Sequence, residues 1–120
     1  LLEAKKMLCR VGLKDRMDHF PNQMSGGQQQ RVGIARAFIT QPEVVFADEP
    51  TGNLDTRTTK EVMHMIRGFA HRFHQTIVLV SHDPEMTEYA DRIVTLIDGR
   101  IVSNVENQVK AEIDAAPYIE

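Results

Sequence analysis

Apolar residues recur at helical spacing in several stretches of this sequence, and the pattern predicts a series of helices. We expect helices at residues 4–11, which Gly12 would terminate, and at residues 28–39, 56–73 and 84–90. The apolar stripe is clearest in the stretch 56–73, where it comprises Val62, Ile66, Phe69 and Phe73. Such a stripe is typical of a helix that packs on a sheet.

Two runs of consecutive apolar, largely β-branched residues predict strands. Residues 44–47 and residues 76–80 are each short and continuous, as are strands buried inside a parallel sheet. Because helices and strands alternate along the chain, the pattern predicts an α/β fold in which helices flank a parallel sheet.

The last part of the pattern predicts a β-hairpin. Residues 93–97 and residues 101–103 are rich in β-branched side chains, and Asp98 and Gly99 lie between them. An Asp-Gly pair between two such runs is a strong hairpin signal. The pattern then fades, and we expect residues 106–120 to form a loosely structured tail.

Composition narrows the class of protein. The 120 residues are enough for one domain or part of one, and 42% hydrophobic residues can form a modest core. A net charge of −3 provides no basic field, so we expect no nucleic-acid partner. The single cysteine, Cys9, excludes an internal disulfide and is expected to be a small buried residue in a reduced, cytoplasmic protein. No apolar run is long enough to span a bilayer.

The loop before the second predicted helix carries the first candidate chemistry. Over residues 24–31 it reads Met-Ser-Gly-Gly-Gln-Gln-Gln-Arg, so that Ser25 is a suitable N-cap and Gly26 and Gly27 follow it. The first turn of a helix directs unpaired backbone N–H groups and the positive end of the helix dipole at one point. Glycine at that point lets an anion approach the backbone closely. The alternative is a surface loop that only caps a helix.

Acidic side chains mark the end of the first predicted strand. Asp48 and Glu49 follow the apolar run 44–47, at the edge where open α/β sheets bind their ligands. Such a pair could hold Mg²⁺ through a hard oxygen and polarise a nucleophilic water. The alternative is an acidic helix N-terminus just past a strand.

Turn residues and a histidine follow the two strands. Residues 50–55 form a Pro- and Gly-containing turn, in which Asp55, or Thr56 just after it, could cap the next helix. His82 comes directly after the second run. Taken alone, this segment also fits a capping turn in which Ser81 or Asp83 caps and a proline follows.

In their order along the chain, these four stretches resemble the motifs of the ATP-binding cassette (ABC) ATPases. The Ser-Gly-Gly-Gln segment resembles the signature motif, although Met24 stands where Leu is most common. Asp48 and Glu49 resemble the end of a Walker B strand, residues 50–55 the D-loop, and His82 the switch histidine. Each motif is weak to moderate alone, but the combination is specific.

The resemblance implies a P-loop NTPase-like fold and an ATPase that works as a head-to-tail dimer with two ATP molecules at the interface. Ser25 and the backbone amides at Gly26 and Gly27 would close on the γ-phosphate of the ATP that the partner holds. Gln28 would help to orient this signature loop. For the nucleotide of their own subunit, Asp48 would hold Mg²⁺ through water. Glu49 would polarise the attacking water and His82 would contact the γ-phosphate, while Asp55 would link the two sites.

The family also sets expectations for partners and extent. We expect a transport ATPase bound to an integral membrane permease at the cytoplasmic face of the inner membrane. Residues 49–55, Glu-Pro-Thr-Gly-Asn-Leu-Asp, resemble those of the bacterial branch that includes lipoprotein-releasing, macrolide-export and cell-division ATPases. The alternative is a non-transport relative in DNA repair or on the ribosome. No G-x-x-x-x-G-K-S/T segment occurs, so residues 1–105 are expected to be the C-terminal part of an ATPase domain that is inactive alone.

Overall fold

The computed structural model describes residues 2–107, and helices and strands alternate through most of them. In chain order the regular elements are α1 (Leu2–Arg10), α2 (Gly26–Phe38), β1 (Val44–Asp48), α3 (Thr56–Phe73), β2 (Thr76–Val80), β3 (Arg92–Ile97) and β4 (Arg100–Glu106). Short 3-10 turns lie at Lys14–Arg16, Pro21–Gln23 and Pro84–Tyr89. The bounds of α3 and β2 are those that the sequence predicts. Most of the predicted tail, residues 108–120, lies outside the described residues.

The strands form two separate pairs in the described part of the chain. β1 and β2 are parallel, with a register that runs from Val44 opposite Thr76 to Asp48 opposite Val80. β3 and β4 are antiparallel. This arrangement confirms the predicted α/β fold with a parallel sheet and a C-terminal hairpin.

The hairpin turn forms as its sequence predicts. Ile97 pairs with Arg100, so Asp98 and Gly99 are the only residues of the loop. Their φ angles are +51° and +75°, the left-handed conformation that a tight two-residue hairpin turn requires at both positions. The second strand of the hairpin is longer than the predicted residues 101–103, since β4 continues to Glu106.

The core is formed mainly by side chains of α2 and α3, together with the inner face of the parallel sheet. The rings of Phe38 and Phe69 are 5.2 Å apart between centroids, and Val62 of the same cluster is fully buried. Each such side chain contributes about 1.5–3 kcal/mol by leaving water. The predicted stripe of α3 is therefore the face that packs, and it is extended by Met63 and Met65.

The expectation that both predicted strands are buried is wrong for the described residues. Val45 is buried and packs on the core, as the inner face of the sheet requires. The opposite face is open: Phe46 is 75% exposed and Val80 is 50% exposed. A continuous apolar run cannot reveal whether one or both faces of a sheet are covered, and helices cover only one face within residues 2–107.

Two further expectations need correction. Cys9 is exposed, because α1 turns Met7 towards the core and leaves Cys9 on its outer side. The predicted helix at residues 84–90 is a 3-10 turn, Pro84–Tyr89, in which Asp83 caps the first residues. Among residues 2–107, no helix combines the length and the apolar character needed to cross a bilayer.

Candidate functional site

The amino end of α2 is closed by a reciprocal cap. The N–H of Gln28 donates to Ser25 Oγ at 3.1 Å, and the N–H of Ser25 donates to Gln28 Oε1 at 3.0 Å. The helix therefore begins at Gly26, two residues before the predicted start at residue 28. The amides of Gly26 and Gly27 fall in the first turn, where no intrahelical acceptor exists, so this end can receive an anion.

The loop before α2 is fixed by a side chain that the sequence analysis did not single out. The side-chain amide of Gln29 donates to the carbonyl of Pro21 at 2.7 Å and to that of Met24 at 3.2 Å. These bonds hold the chain that enters the cap. The three consecutive glutamines thus have separate partners and do not form a featureless polar tract.

A second cap lies beside the first one, at the start of α3. Asp55 accepts a hydrogen bond from the N–H of Thr58 at 2.8 Å. Hydrogen bonding with the Thr58 side chain, then this backbone bond, and to a smaller extent the charge of Arg57 hold the pKa of Asp55 below its ordinary value. The amino ends of the two helices meet closely, since a Cβ atom on Gly27 would lie 2.7 Å from Thr58 Cγ2.

The carboxyl ends of the two parallel strands bring Glu49 and His82 into contact. The N–H of Glu49 donates to the carbonyl of Val80 at 2.8 Å, which continues the strand pairing by one residue. Glu49 Oε1 accepts from the N–H of His82 at 2.9 Å and lies 2.5 Å from His82 Nδ1. Ser81 Oγ donates to Glu49 Oε2 at 3.2 Å.

The electrostatics of this cluster favour an ionised Glu49. Partial desolvation is the largest single influence on its pKa and raises it. The hydrogen bonds from His82 and Ser81 together outweigh desolvation, so the pKa of Glu49 lies below its ordinary value. Glu49 also has a φ of +45°, which is uncommon for a residue with a side chain. The carboxylate is only 38% exposed and can accept a proton or polarise a water.

Asp48 lies at the end of β1, on the open face of the sheet and opposite Val80. Within residues 2–107, no cluster of three or more His, Cys, Asp or Glu side chains could hold a metal ion alone. A single exposed carboxylate nevertheless fits Mg²⁺, because this ion keeps several waters and commonly binds one or two carboxylates together with phosphate oxygens.

The candidate residues thus form two groups. We call Ser25, Gly26, Gly27, Gln28 and Asp55 the capping group, and Asp48, Glu49 and His82 the strand-end group. No hydrogen bond or ion pair among the described residues joins one group to the other. Sequence reasoning missed Ser81 as a partner of Glu49, although a parallel register of the two runs would have placed both at one edge.

Comparison with known proteins finds a matching family model and similar sequences and structures. The family model described as "ABC transporter" matches residues 2–52. The "Macrolide export ATP-binding/permease protein MacB" of Chlorobaculum tepidum is 51% identical over 106 residues, which are 88% of this chain and 16% of that protein. The "Uncharacterized ABC transporter ATP-binding protein MJ1508" of Methanocaldococcus jannaschii is 52% identical over 99 residues, 82% of this chain and 44% of the relative.

Solved structures share the fold. The dimeric post-hydrolysis state of the ATP-binding cassette MJ0796, bound to ADP and Pi, superposes with a TM-score of 0.73 and 37% sequence identity. The match covers 88% of this chain and 46% of that one. A second dimeric structure of MJ0796 matches with 38% identity and the same TM-score. The chain therefore spans less than half the length of these relatives.

Proposed function

This chain belongs to the ABC transporter family of ATP-binding proteins, and from that premise we propose that it forms part of a cassette that binds and hydrolyses ATP to drive a separate membrane permease. The observation that carries the proposal is the contact of Glu49 with His82 and Ser81 at the carboxyl ends of two adjacent parallel strands. This is the edge of an α/β sheet at which ligands bind.

In this proposal the strand-end group serves the nucleotide of its own subunit. Glu49 is the general base that polarises the attacking water, and the hydrogen bonds from His82 and Ser81, which hold its pKa below the ordinary value, favour the ionised form that a base requires. His82 holds Glu49 through its N–H and ring, and its own side chain is 93% exposed, so it remains accessible to a phosphate. Asp48 would hold Mg²⁺, which neutralises phosphate charge when bound.

Four residues of the capping group, Ser25, Gly26, Gly27 and Gln28, serve a different nucleotide, the one bound by the partner subunit, and Asp55 would link the two sites. The amides at Gly26 and Gly27 lie in the first turn of α2, which Ser25 caps. An anion at this point is favoured by the helix dipole and by unpaired N–H groups. A head-to-tail dimer would bring this end of one copy onto the phosphates held by the other, and the MJ0796 cassettes that share the fold are dimeric.

The partner that we propose is an integral membrane permease of the macrolide-export type. The support is the set of relatives whose names join an ATP-binding part and a permease, among them the MacB protein that is 51% identical to this chain. Such a partner would place the ATPase at the cytoplasmic face of the inner membrane, where cellular ATP is available.

The test compares the full-length gene product with the 120-residue chain. The full-length protein is expected to hydrolyse Mg-ATP, whereas the 120 residues contain no Walker A motif and are expected to show no turnover above that of their Glu49→Gln variant. Absence of turnover in the full-length protein would refute the proposed function. Glu49-dependent turnover by the 120 residues alone would refute their inactivity.

A further inference from the structure

The face of α2 that begins at the capped end is occupied by contacts with the segment that follows β1. A Cβ atom on Gly26 would lie 3.6 Å from Leu54 Cδ2, and one on Gly27 would lie 2.7 Å from Thr58 Cγ2. Further along the same face, Gln30 is hydrogen-bonded to Pro50 and Arg31 to Glu61. The positions on α2 are spaced by one, three and one residues, so they share one side of the helix. We call this face the seat.

Gly27 is the closest point of the seat. A Cβ at position 27 would lie 2.7 Å from Thr58 Cγ2, nearer than packed atoms can approach. Thr58 is β-branched and belongs to the first turn of α3, so its methyl group has few alternative positions. Gly33, on the same helix, has nothing within 4 Å of the corresponding Cβ position. Proximity to α3 therefore requires glycine at position 27 and not at position 33.

Gln30 ties the same face to Pro50, the residue that follows Glu49. Its side-chain amide donates to the carbonyl of Pro50, which is buried and directly follows Glu49. The next residue of α2, Arg31, forms an ion pair of 3.0 Å with Glu61 of α3, and its side chain is only 25% exposed. The anion-binding end of α2 is thus connected through Gln30 to the residue next to Glu49.

We propose that Gly27 and Gln30 are positioning residues, which fix the distance and angle between the amides of the capping group and Glu49. This inference rests on the proposed function and assigns the glycine a role in helix packing as well as any role in phosphate approach. It has a specific consequence: a defect caused by a methyl group at position 27 is relieved by removing the methyl group of Thr58.

The test is a double-mutant cycle in the full-length protein. Gly27→Ala is expected to lower kcat for ATP at least about tenfold, since misplacement of a catalytic element by about 1 Å can cost up to 10²-fold. Thr58→Ser removes Cγ2, keeps the N–H bound by Asp55, and is expected to have nearly wild-type activity. The Gly27→Ala/Thr58→Ser protein is expected to recover most of the lost kcat. Gly33→Ala is the matched control and is expected to be as active as wild type.

Outcomes separate this inference from the proposed function. Failure of Thr58→Ser to rescue an impaired Gly27→Ala protein would overturn the inference, because the methyl group would then act on the nucleotide alone. An unimpaired Gly27→Ala protein would overturn it as well. If wild type and Gly33→Ala both lacked turnover, that result would refute the proposed function itself and not only the positioning role of Gly27 and Gln30.

A second pair of variants tests the seat without changing the glycine, and it decides the question if Gly27→Ala does not fold. Gln30→Glu has the shape of glutamine but directs an oxygen at the Pro50 carbonyl, whereas Gln30→Lys keeps an N–H donor on a long side chain. We expect kcat to fall about tenfold in Gln30→Glu with KM changed less than about twofold, and to be largely kept in Gln30→Lys. Equal activity of the two variants would contradict the role of Gln30.

Discussion

The capping group and the strand-end group are held by hydrogen bonds of very different range. In the capping group each bond joins residues three apart in sequence, as between Ser25 and Gln28. In the strand-end group, Glu49 accepts from Ser81 and His82, which follow it by 32 and 33 residues. The first arrangement needs only a local turn, whereas the second needs two strands in the correct register.

Because of this difference in range, we expect the capping group to contribute to stability and the strand-end group to contribute to catalysis. Local caps satisfy helix amides, so changes in the capping group are expected to alter the free energy of unfolding as well as contact with a partner. The contacts of Glu49 lie at an exposed edge of the sheet, and they orient one carboxylate without filling the core. Changes there are expected to alter chemistry and leave stability almost intact.

The largest expected effect is that of Glu49→Gln in the full-length protein. The substitution keeps the shape of the side chain but removes the base, and kcat for ATP is expected to fall about 10²–10⁴-fold. Tm should change little, because Glu49 lies at the exposed edge of the sheet and is not among the residues of the core. ATP hydrolysis and thermal melting of the same samples provide both readouts. A retained rate would show that Glu49 is not the base.

His82→Ala should have the next largest effect. It removes the ring contact with Glu49 but keeps the backbone N–H bond, so kcat is expected to fall about ten- to a hundredfold while nucleotide affinity changes less. His71→Ala is the matched control, since His71 is an exposed histidine on α3 outside both groups. Steady-state kinetics and nucleotide titration distinguish the two quantities. A loss of affinity with normal turnover would contradict the orienting role.

Ser25→Ala tests the other side of the comparison. The variant lacks Ser25 Oγ, which accepts the hydrogen bond from the N–H of Gln28. Because this helix amide loses its acceptor, the free energy of unfolding is expected to fall by about 1 kcal/mol. Ser25→Asp retains a capping oxygen and should keep the wild-type stability. Chemical denaturation of the three proteins measures the difference. Equal stability of Ser25→Ala and wild type would show that the cap contributes nothing to folding.

The smallest expected effect is a pH dependence at Asp55. Its pKa in the folded protein lies below the ordinary value of 3.8, so its ionised form stabilises the fold above that pH. This stabilisation is lost as the pH falls through the lower, folded-state pKa. Asp55→Asn keeps a capping oxygen but does not titrate. Thermal melting from pH 7 to pH 3 should show wild type losing its advantage over Asp55→Asn, and a constant difference would contradict the assignment.

The local range of the capping group explains how well the sequence predicts it. Ser25 and Asp55 are recognisable caps from neighbouring residues alone, and the bounds of α3 follow from its apolar stripe. The partners of Glu49 depend on the register of β1 and β2, which no local pattern specifies. Exposure of Phe46 and of Cys9 also escaped prediction, because both depend on which faces the rest of the fold covers.

The contacts of the seat escaped prediction for the same reason. Nothing in a Gly-Gly-Gln-Gln-Gln segment indicates that Gly27 meets Thr58 or that Gln30 reaches the carbonyl of Pro50. From the sequence, a glycine at position 27 is explained equally well by close approach of a phosphate to the backbone. Only the packing of α2 on the segment after β1 distinguishes the two reasons, which is why long-range contacts had to come from the structure.

The central claim is that the two groups of one chain act on different nucleotides, and subunit mixing tests it most directly. Full-length Ser25→Asp, which places a negative charge where a phosphate should bind, and full-length Glu49→Gln are each expected to be nearly inactive. After subunit exchange, a mixed dimer contains one site with an intact Glu49 from one copy and an intact Ser25 from the other. ATP hydrolysis by the mixed dimer is expected to be well above that of either parent. A mixture no more active than the average of its parents would contradict it.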